Sequence, residues 1–185
     1  MYVTEFLDRK NYYQYGDWLK NQDTETRELY FGTAAGIGVI ESLMDRIEQE
    51  PELHNFLIAR NCGGWLGTLH IAQLSKTEIE FGIIVKSDLR GEGIGSHLID
   101  QGIAWARNRG FDGLFMHCVA WNKPIKHLCQ KHGLRVRNLD SDAEVQIKLD
   151  PPTWITVQKE IAYKNRNIWH TFLQQSQFLM HEIYG

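Results

Sequence analysis

An α/β (α+β) fold, with a mostly antiparallel sheet and helices on both faces, is predicted by three features of the 185-residue sequence. Three β-patterned segments separated by turn residues lie between Phe56 and Val85. A glycine-rich run, Arg90-Gly91-Glu92-Gly93-Ile94-Gly95-Ser96, then opens a helical pattern. A nearly continuous apolar segment from Leu114 to Ala120 follows, as expected of a strand buried on both faces.

Taken in order, residues 1–50 read as mostly helical, because Ile37, Ile40, Leu43, Met44 and Ile47 recur at helical spacing before Pro51. From Glu52 the period changes. Phe56 to Arg60, Trp65 to Leu74 and Thr77 to Val85, separated by Asn61-Cys62-Gly63-Gly64 and Ser75-Lys76, form an antiparallel meander. The next helix presents Ile94, Leu98, Ile99, Ile103 and Ala106 as one stripe and stops at Gly110, a residue that tolerates a left-handed cap. After the strand Leu114 to Ala120, a short helix runs from about Pro124 to Gly133. Leu134 to Arg137 and Val145 to Leu149, joined by Asn138 to Glu144, read as a last hairpin. Asp150-Pro151-Pro152 divides a domain over residues 1–150 from a helical appendage over 151–185, whose Ile161, Ile168, Trp169, Phe172, Leu173 and Leu179 give one or two amphipathic helices.

Composition narrows the function. The net charge is −3 with no basic stripe, which argues against nucleic acid as a partner. Cys62, Cys118 and Cys129 are an odd set at irregular spacing, as expected of a cytoplasmic protein in a reducing compartment. No apolar run approaches the roughly 20 residues that span a bilayer, and no signal pattern is expected at the N-terminus, so no membrane is expected as a partner.

The glycine run suits an anion. Glycines let successive N–H groups turn toward one point, and the helix that starts there adds the positive end of its dipole. A dinucleotide fingerprint is opposed by Ser96 at the third glycine position, by the spacer Lys86 to Arg90, and by Asp112, which precedes its strand instead of ending it. A phosphate loop of the Walker type is excluded, since no Lys-Ser/Thr follows the last glycine. A plain surface turn remains the bland alternative, because G-x-G alone is common; Gly36-Ile37-Gly38 is one, read as a helix-entry loop.

Context raises the run above these rivals. The block Glu80-Phe81-Gly82-Ile83-Ile84-Val85, then Arg90-x-x-Gly93-x-Gly95, a helix, a strand ending at Asn122, and His127 to Leu134 together resemble the GNAT superfamily of acyl-CoA N-acyltransferases. The match covers about residues 52–149; residues 1–50 share only helical character. The resemblance implies a GNAT-like sheet whose central strands splay apart to admit the pantetheine arm of acetyl-CoA, the implied co-substrate. Arg90, Gly91, Glu92, Gly93, Ile94, Gly95 and Ser96 would then hold the diphosphate of coenzyme A. Ile83 and Val85, with Ile84 between them, would pair their backbone with the pantetheine amides, as an added strand does. Asn122 would bond the coenzyme or fix the strand end.

The implied reaction is attack of an amine on a thioester, with an N-acetyltransferase as product of the reading. An amine of pKa about 10.4 costs about 4.6 kcal/mol to deprotonate at pH 7, so a base is useful. Glu80 stands where several branches of the family carry one. Glu78 shares its face of the strand and would raise the pKa of one carboxyl by repulsion; two ordinary solvated acids are the alternative. The leaving thiolate must regain a proton, and where relatives place a tyrosine this sequence has Cys129. A thiol could donate, a core cysteine could not, and Tyr30 or Tyr163 could substitute. His117, Cys118, His127, Cys129 and His132 suggest a metal cluster, but their helix spacing leaves no second paired set, so no metal is expected.

The acceptor is a primary amine of unknown identity, a polyamine, an aminoglycoside or a protein lysine. The segments Tyr12 to Gly38 and Asn138 to Val145 would line its site, and their acids (Asp17, Asp23, Glu25, Glu28, Asp140, Asp142 and Glu144) would steer a cation. Tyr30 and Phe31 would line a slot or pack beneath the first loop. The C-terminal helices would complete a homodimer or cover the cleft. A noncatalytic acyl-CoA-binding module on the same fold is the alternative, suggested by the missing tyrosine.

Overall fold

The computed structural model of the chain describes residues 2–32, 35–119, 121–132, 136–139 and 142–165. A short strand, β1 (Val3–Phe6), precedes three helices, α1 (Tyr13–Lys20), α2 (Thr24–Phe31) and α3 (Ile37–Gln49). The meander follows as β2 (His54–Asn61), β3 (Gly64–Gln73) and β4 (Glu78–Val85). Then come α4 (Ile94–Asn108), β5 (Gly113–Val119), α5 (Lys123–Lys131), β6 (Val136–Leu139) and β7 (Asp142–Lys148). A last helix, α6, spans residues 154–165.

The strands form one sheet in the order β1-β2-β3-β4-β5-β7-β6. Every pair is antiparallel except β4 with β5, which is parallel. That pair holds only three rungs, Glu78 with Gly113, Ile79 with Leu114 and Glu80 with Phe115. Beyond Glu80, β4 continues along β3 alone, through Gly82 with His70 and Val85 with Gly67. The expected mixed sheet with parting central strands is therefore the observed one.

Side-chain alternation along β4 feeds two cores. Ile79 and Phe81 join Leu57, Leu69, Ile71, Leu98, Ile99, Leu114 and Met116 under α4. Ile84 faces the other way, into a cluster with Phe56, Tyr15, Leu19, Ile40 and Ile47 from α1, α3 and β2. Helices on both faces are thus required by β4 itself, which buries large apolar residues on each side.

Two expectations need adjustment. The first 50 residues are not only helical, because Val3–Phe6 pairs with β2 from Val3 opposite Arg60 to Phe6 opposite Leu57. Four residues are too few to establish a period, and the strand exists through its partner's backbone. The last hairpin is tighter than a connection over 138–144 would make it, since β6 and β7 pair from Val136 opposite Val145 to Leu139 opposite Asp142. The charged positions Asp142 and Glu144 belong to β7, whose backbone is paired with β5 on one side and β6 on the other. The α5 helix ends at Lys131, and the expected stop at Gly133 and Leu134 lies outside the described residues, as do Asp140 and the predicted helical residues from 166 onward. The start of the appendage is fastened to α4: Arg107 donates to the carbonyls of Asp150 at 2.9 Å and Pro151 at 2.8 Å, and Asn108 donates to Glu160 at 2.7 Å.

A histidine pair sits beneath α1. His70 of β3 is buried, stacks on Phe56 with centroids 4.6 Å apart, and shares a 2.9 Å hydrogen bond, Nε2 to Nδ1, with His54. Two imidazolium rings would point donors at each other, so at least one ring of the pair must be neutral. Burial, with His54 and Arg46 adding to it, pulls His70 down to about 3. The unfolded chain binds a proton there below pH about 6.5 while the folded chain does not, so this stability is present above that pH and lost as pH falls. Denaturant titrations should show wild type losing about 2 kcal/mol between pH 7 and pH 5, with most of that loss absent in His70→Gln.

Candidate functional site

The parting of β4 from β5 leaves a cleft of about 480 Å³. Its floor is Ile83, Ile84 and Val85 of β4; its walls are the loop and first turn of α4, the α5 residues Ile125 and Leu128, and Leu29 and Tyr30 of α2. The backbone of Phe81 to Val85 has no rung with β5, so the edge of β4 that faces β5 is unpaired along the cleft. An unpaired edge with a closed end suits an extended ligand that brings its own amide groups.

The closed end is the glycine loop. Gly91 and Gly93 have φ of 87° and 83°, in the region L side chains avoid, and Gly93 caps α4. The first α4-closing bond is from His97 N–H to the Gly93 carbonyl at 3.0 Å, so the amides of residues 94–96 are left without helical partners. Gly95 has a different reason to lack a side chain: a Cβ there would lie 3.1 Å from Leu128 Cδ2, with Val85 and Ile83 also in contact. Gly91, Gly93, Ile94, Gly95 and Ser96 line the cleft, whereas Glu92 is exposed and does not. Arg90 lines it too, but its guanidinium is engaged, donating to Glu25 at 3.2 Å and to Thr26 Oγ1 at 2.6 Å.

Those contacts tie α2 across the mouth of the cleft. The helix is capped by Asp23, which accepts from Thr26 N–H at 2.8 Å. Asn122, at the far side, donates from Nδ2 to the Leu29 carbonyl at 2.9 Å and accepts from Ile125 N–H at 3.1 Å. One side chain thus caps α5 and holds the C-terminal half of α2. The acids Asp23 and Glu25, expected as a steering rim, are occupied by the cap and by Arg90.

Tyr30 reaches from α2 to β4. Its hydroxyl lies 3.2 Å from that of Tyr15 and directly over Gly82, where a Cβ would collide with the phenol. Burial pushes the phenol up to about 12, with the Tyr15 bond opposing and the Glu80 charge adding to it, so the hydroxyl keeps its proton at neutral pH. Phe31 packs edge-on against the Tyr30 ring at 4.7 Å and does not line the cleft.

Glu80 lies on the same face of β4, two residues before Gly82. Its Oε1 sits 2.9 Å from Nδ1 of His117, and both side chains are partly exposed. Glu78 stands at the paired end of the strand, bonded to Ser75 Oγ at 3.2 Å, with its Cγ at the space beside Gly113. Cys129 belongs to the core under α4: it is fully buried, its Sγ is 4.0 Å from Met116 Sδ, and it does not line the cleft. Burial, with Cys118 beside it, pushes its thiol up to about 12. Periodicity within β4 alone does not pair His117 with Glu80, but alternation along β5 puts it on that face, two residues beyond the last rung at Phe115. Of the suspected metal cluster, Cys118 and Cys129 lie together in the core while His132 bonds to Ser96, and no group of three or more His, Cys, Asp or Glu side chains placed to hold a metal occurs among the described residues.

A sheet that parts over a capped glycine loop is what the GNAT resemblance implies, and comparison with known proteins bears the resemblance out. The chain belongs to the acetyltransferase (GNAT) family, whose model matches residues 13–134. An N-acetyltransferase from Staphylococcus aureus Mu50 superposes with a TM-score of 0.60 at 18% identity, covering 81% of this chain and 99% of that one. The yncA protein of Salmonella typhimurium, solved with its cofactor acetyl-CoA, gives 0.59 at 16% identity over 80% and 94%. Spermidine N-acetyltransferase from Vibrio cholerae, in complex with CoA and spermine, gives 0.61 at 13% identity over 80% and 95%. At these identities the likeness is one of fold. No curated protein matches the chain. No described helix is long and apolar enough to cross a membrane.

Because Asn122 both caps α5 and anchors α2, Asn122→Ala should lower stability by about 1–2 kcal/mol in denaturant titration. Gly82→Ala should cost about 1–3 kcal/mol by displacing the Tyr30 ring, and Tyr30→Phe in the same background should recover part of it.

Proposed function

We propose that the chain is an N-acetyltransferase that moves an acetyl group from acetyl-CoA to a primary amine by direct attack. The observation that carries this reading is the unpaired edge of β4 running into the free amides of α4. Pantetheine amides complement the backbone of Ile83, Ile84 and Val85, and the diphosphate complements the N–H groups of residues 91 and 93–96. Arg90 and Asn122 serve by holding α2 over the cleft, since their polar groups are already engaged with it. Glu92 stays in solvent.

Chemistry takes place on the face that carries Glu80 and Tyr30. Glu80, oriented by His117, accepts the amine proton, directly or through water. The nitrogen bonds to the acyl carbon, the carbon–sulfur bond breaks, and the electron pair leaves on sulfur. Cys129 is not the donor to that sulfur, because its proton is held in the core. Tyr30 donates a hydrogen bond there. Complete transfer from a phenol at about 12 to a thiolate of pKa about 8.5 is uphill by about 5 kcal/mol, so the proton itself comes from solvent. The acceptor is a cationic amine, for which the spermine held by the Vibrio cholerae neighbour is one precedent.

Labelled acetyl-CoA offered with polyamines, aminoglycosides and lysine peptides should give a labelled amide with at least one class. Glu80→Gln should lower kcat by about 10²–10⁴-fold while calorimetric binding of acetyl-CoA is unchanged. Binding with no turnover on any amine would sink the enzyme and leave an acyl-CoA-binding module; no binding would sink both.

A further inference from the structure

Ser96, on the first turn of α4, lines the cleft and places its Oγ 2.9 Å from Nε2 of His132. The other ring nitrogen, Nδ1, lies 3.2 Å from Oδ1 of Asp100, one turn further along α4. The imidazole between them is 9% exposed, whereas Asp100 is 51% exposed. A serine, an imidazole and a carboxylate thus stand in a row, with the serine on the ligand side and the carboxylate in water. No step of the acyl transfer uses them.

The hydrogen-bond inventory of the row allows two states. With a neutral ring, Asp100 holds the proton on Nδ1, so Nε2 must accept. Ser96 then gives its single proton to the ring and shows only lone pairs to the cleft, which repels an anion. With a protonated ring, Nε2–H donates to Oγ, and the serine O–H is released into the cleft as a donor. Asp100 offsets part of the added charge.

We propose that Ser96, His132 and Asp100 form a proton-coupled anion site in the cleft, in which a bound diphosphate draws a proton onto His132. This rests on the cleft being the diphosphate site. The other charged side chains that line the cleft are Lys131 and His127 of α5 and Arg90 of the loop, the last paired with Glu25. Among them only His127 is a second imidazole, so only it could mimic the effect. Binding that takes up a proton weakens as pH rises, by up to about tenfold per unit.

The test is calorimetry with 3′-dephospho-CoA between about pH 5.5 and 8.5, each point in two buffers of different ionisation heat, to count protons. Coenzyme A itself is avoided because its 3′-phosphate titrates near pH 6 and pulls the other way. Wild type should take up a substantial fraction of a proton near neutral pH and lose affinity as pH rises. His132→Gln should flatten both readings, Ser96→Ala should do the same from the cleft side without touching the ring, and His127→Gln should retain the wild-type slope. Zero uptake by wild type, or a slope that survives His132→Gln and Ser96→Ala, would overturn the inference while the diphosphate reading stands. No binding at any pH would overturn both.

Discussion

Hydrogen bonds left unmade along one side of β4 organise this molecule. Three rungs to β5 keep the sheet continuous, and their end at Glu80 opens the space that everything else lines. A parallel pair can part in this way because each strand has a second partner. β4 is secured by β3 along its whole length, and β5 by β7 through seven rungs from Gly113 to Val119. The backbone groups exposed by the parting would be costly if buried without partners, and the cleft gives them either water or a ligand.

The rest of the site follows from where β4 points. Its α4-side residues, Ile83 and Val85, pack against the start of α4, and this contact brings the free amides of the helix to the end of the cleft. Its other face carries Glu80, Gly82 and Ile84, so a carboxylate, a slot for a phenol and an apolar anchor stand in one row. The absent side chain at Gly82 lets Tyr30 come down from α2, and α2 is in turn held by Arg90 on one side and Asn122 on the other. The glycine loop and α2 are therefore linked through shared contacts, so a ligand that moved the loop would also move the helix.

Charge is used locally. Asp23 and Glu25 occur in a segment that looks like an acidic rim in the sequence, yet both are committed to the end of α2 and to Arg90. Cys129 looks like a reactive group and is a core residue, since α5 turns it toward Met116. Buried His70 has the opposite character, a polar group against an apolar cluster that is satisfied by the half-buried His54.

Strand and helix order from β2 to α5, the glycine loop and the position of Glu80 could be read from the chain because they depend on local periods and on backbone conformations that only glycine adopts easily, as at Gly91 and Gly93. The edge strand β1, the pairing of His117 with Glu80, the link from Asn122 to Leu29, and the row from Ser96 to Asp100 could not. Each joins residues distant along the chain, 37 for the first of these side-chain pairs and 93 for the second. Local propensity carries no information about such partners. Only the packing of α2 and α5 against the parted strands decides which side chain meets which, and so which of the many acids, histidines and tyrosines belong to the site.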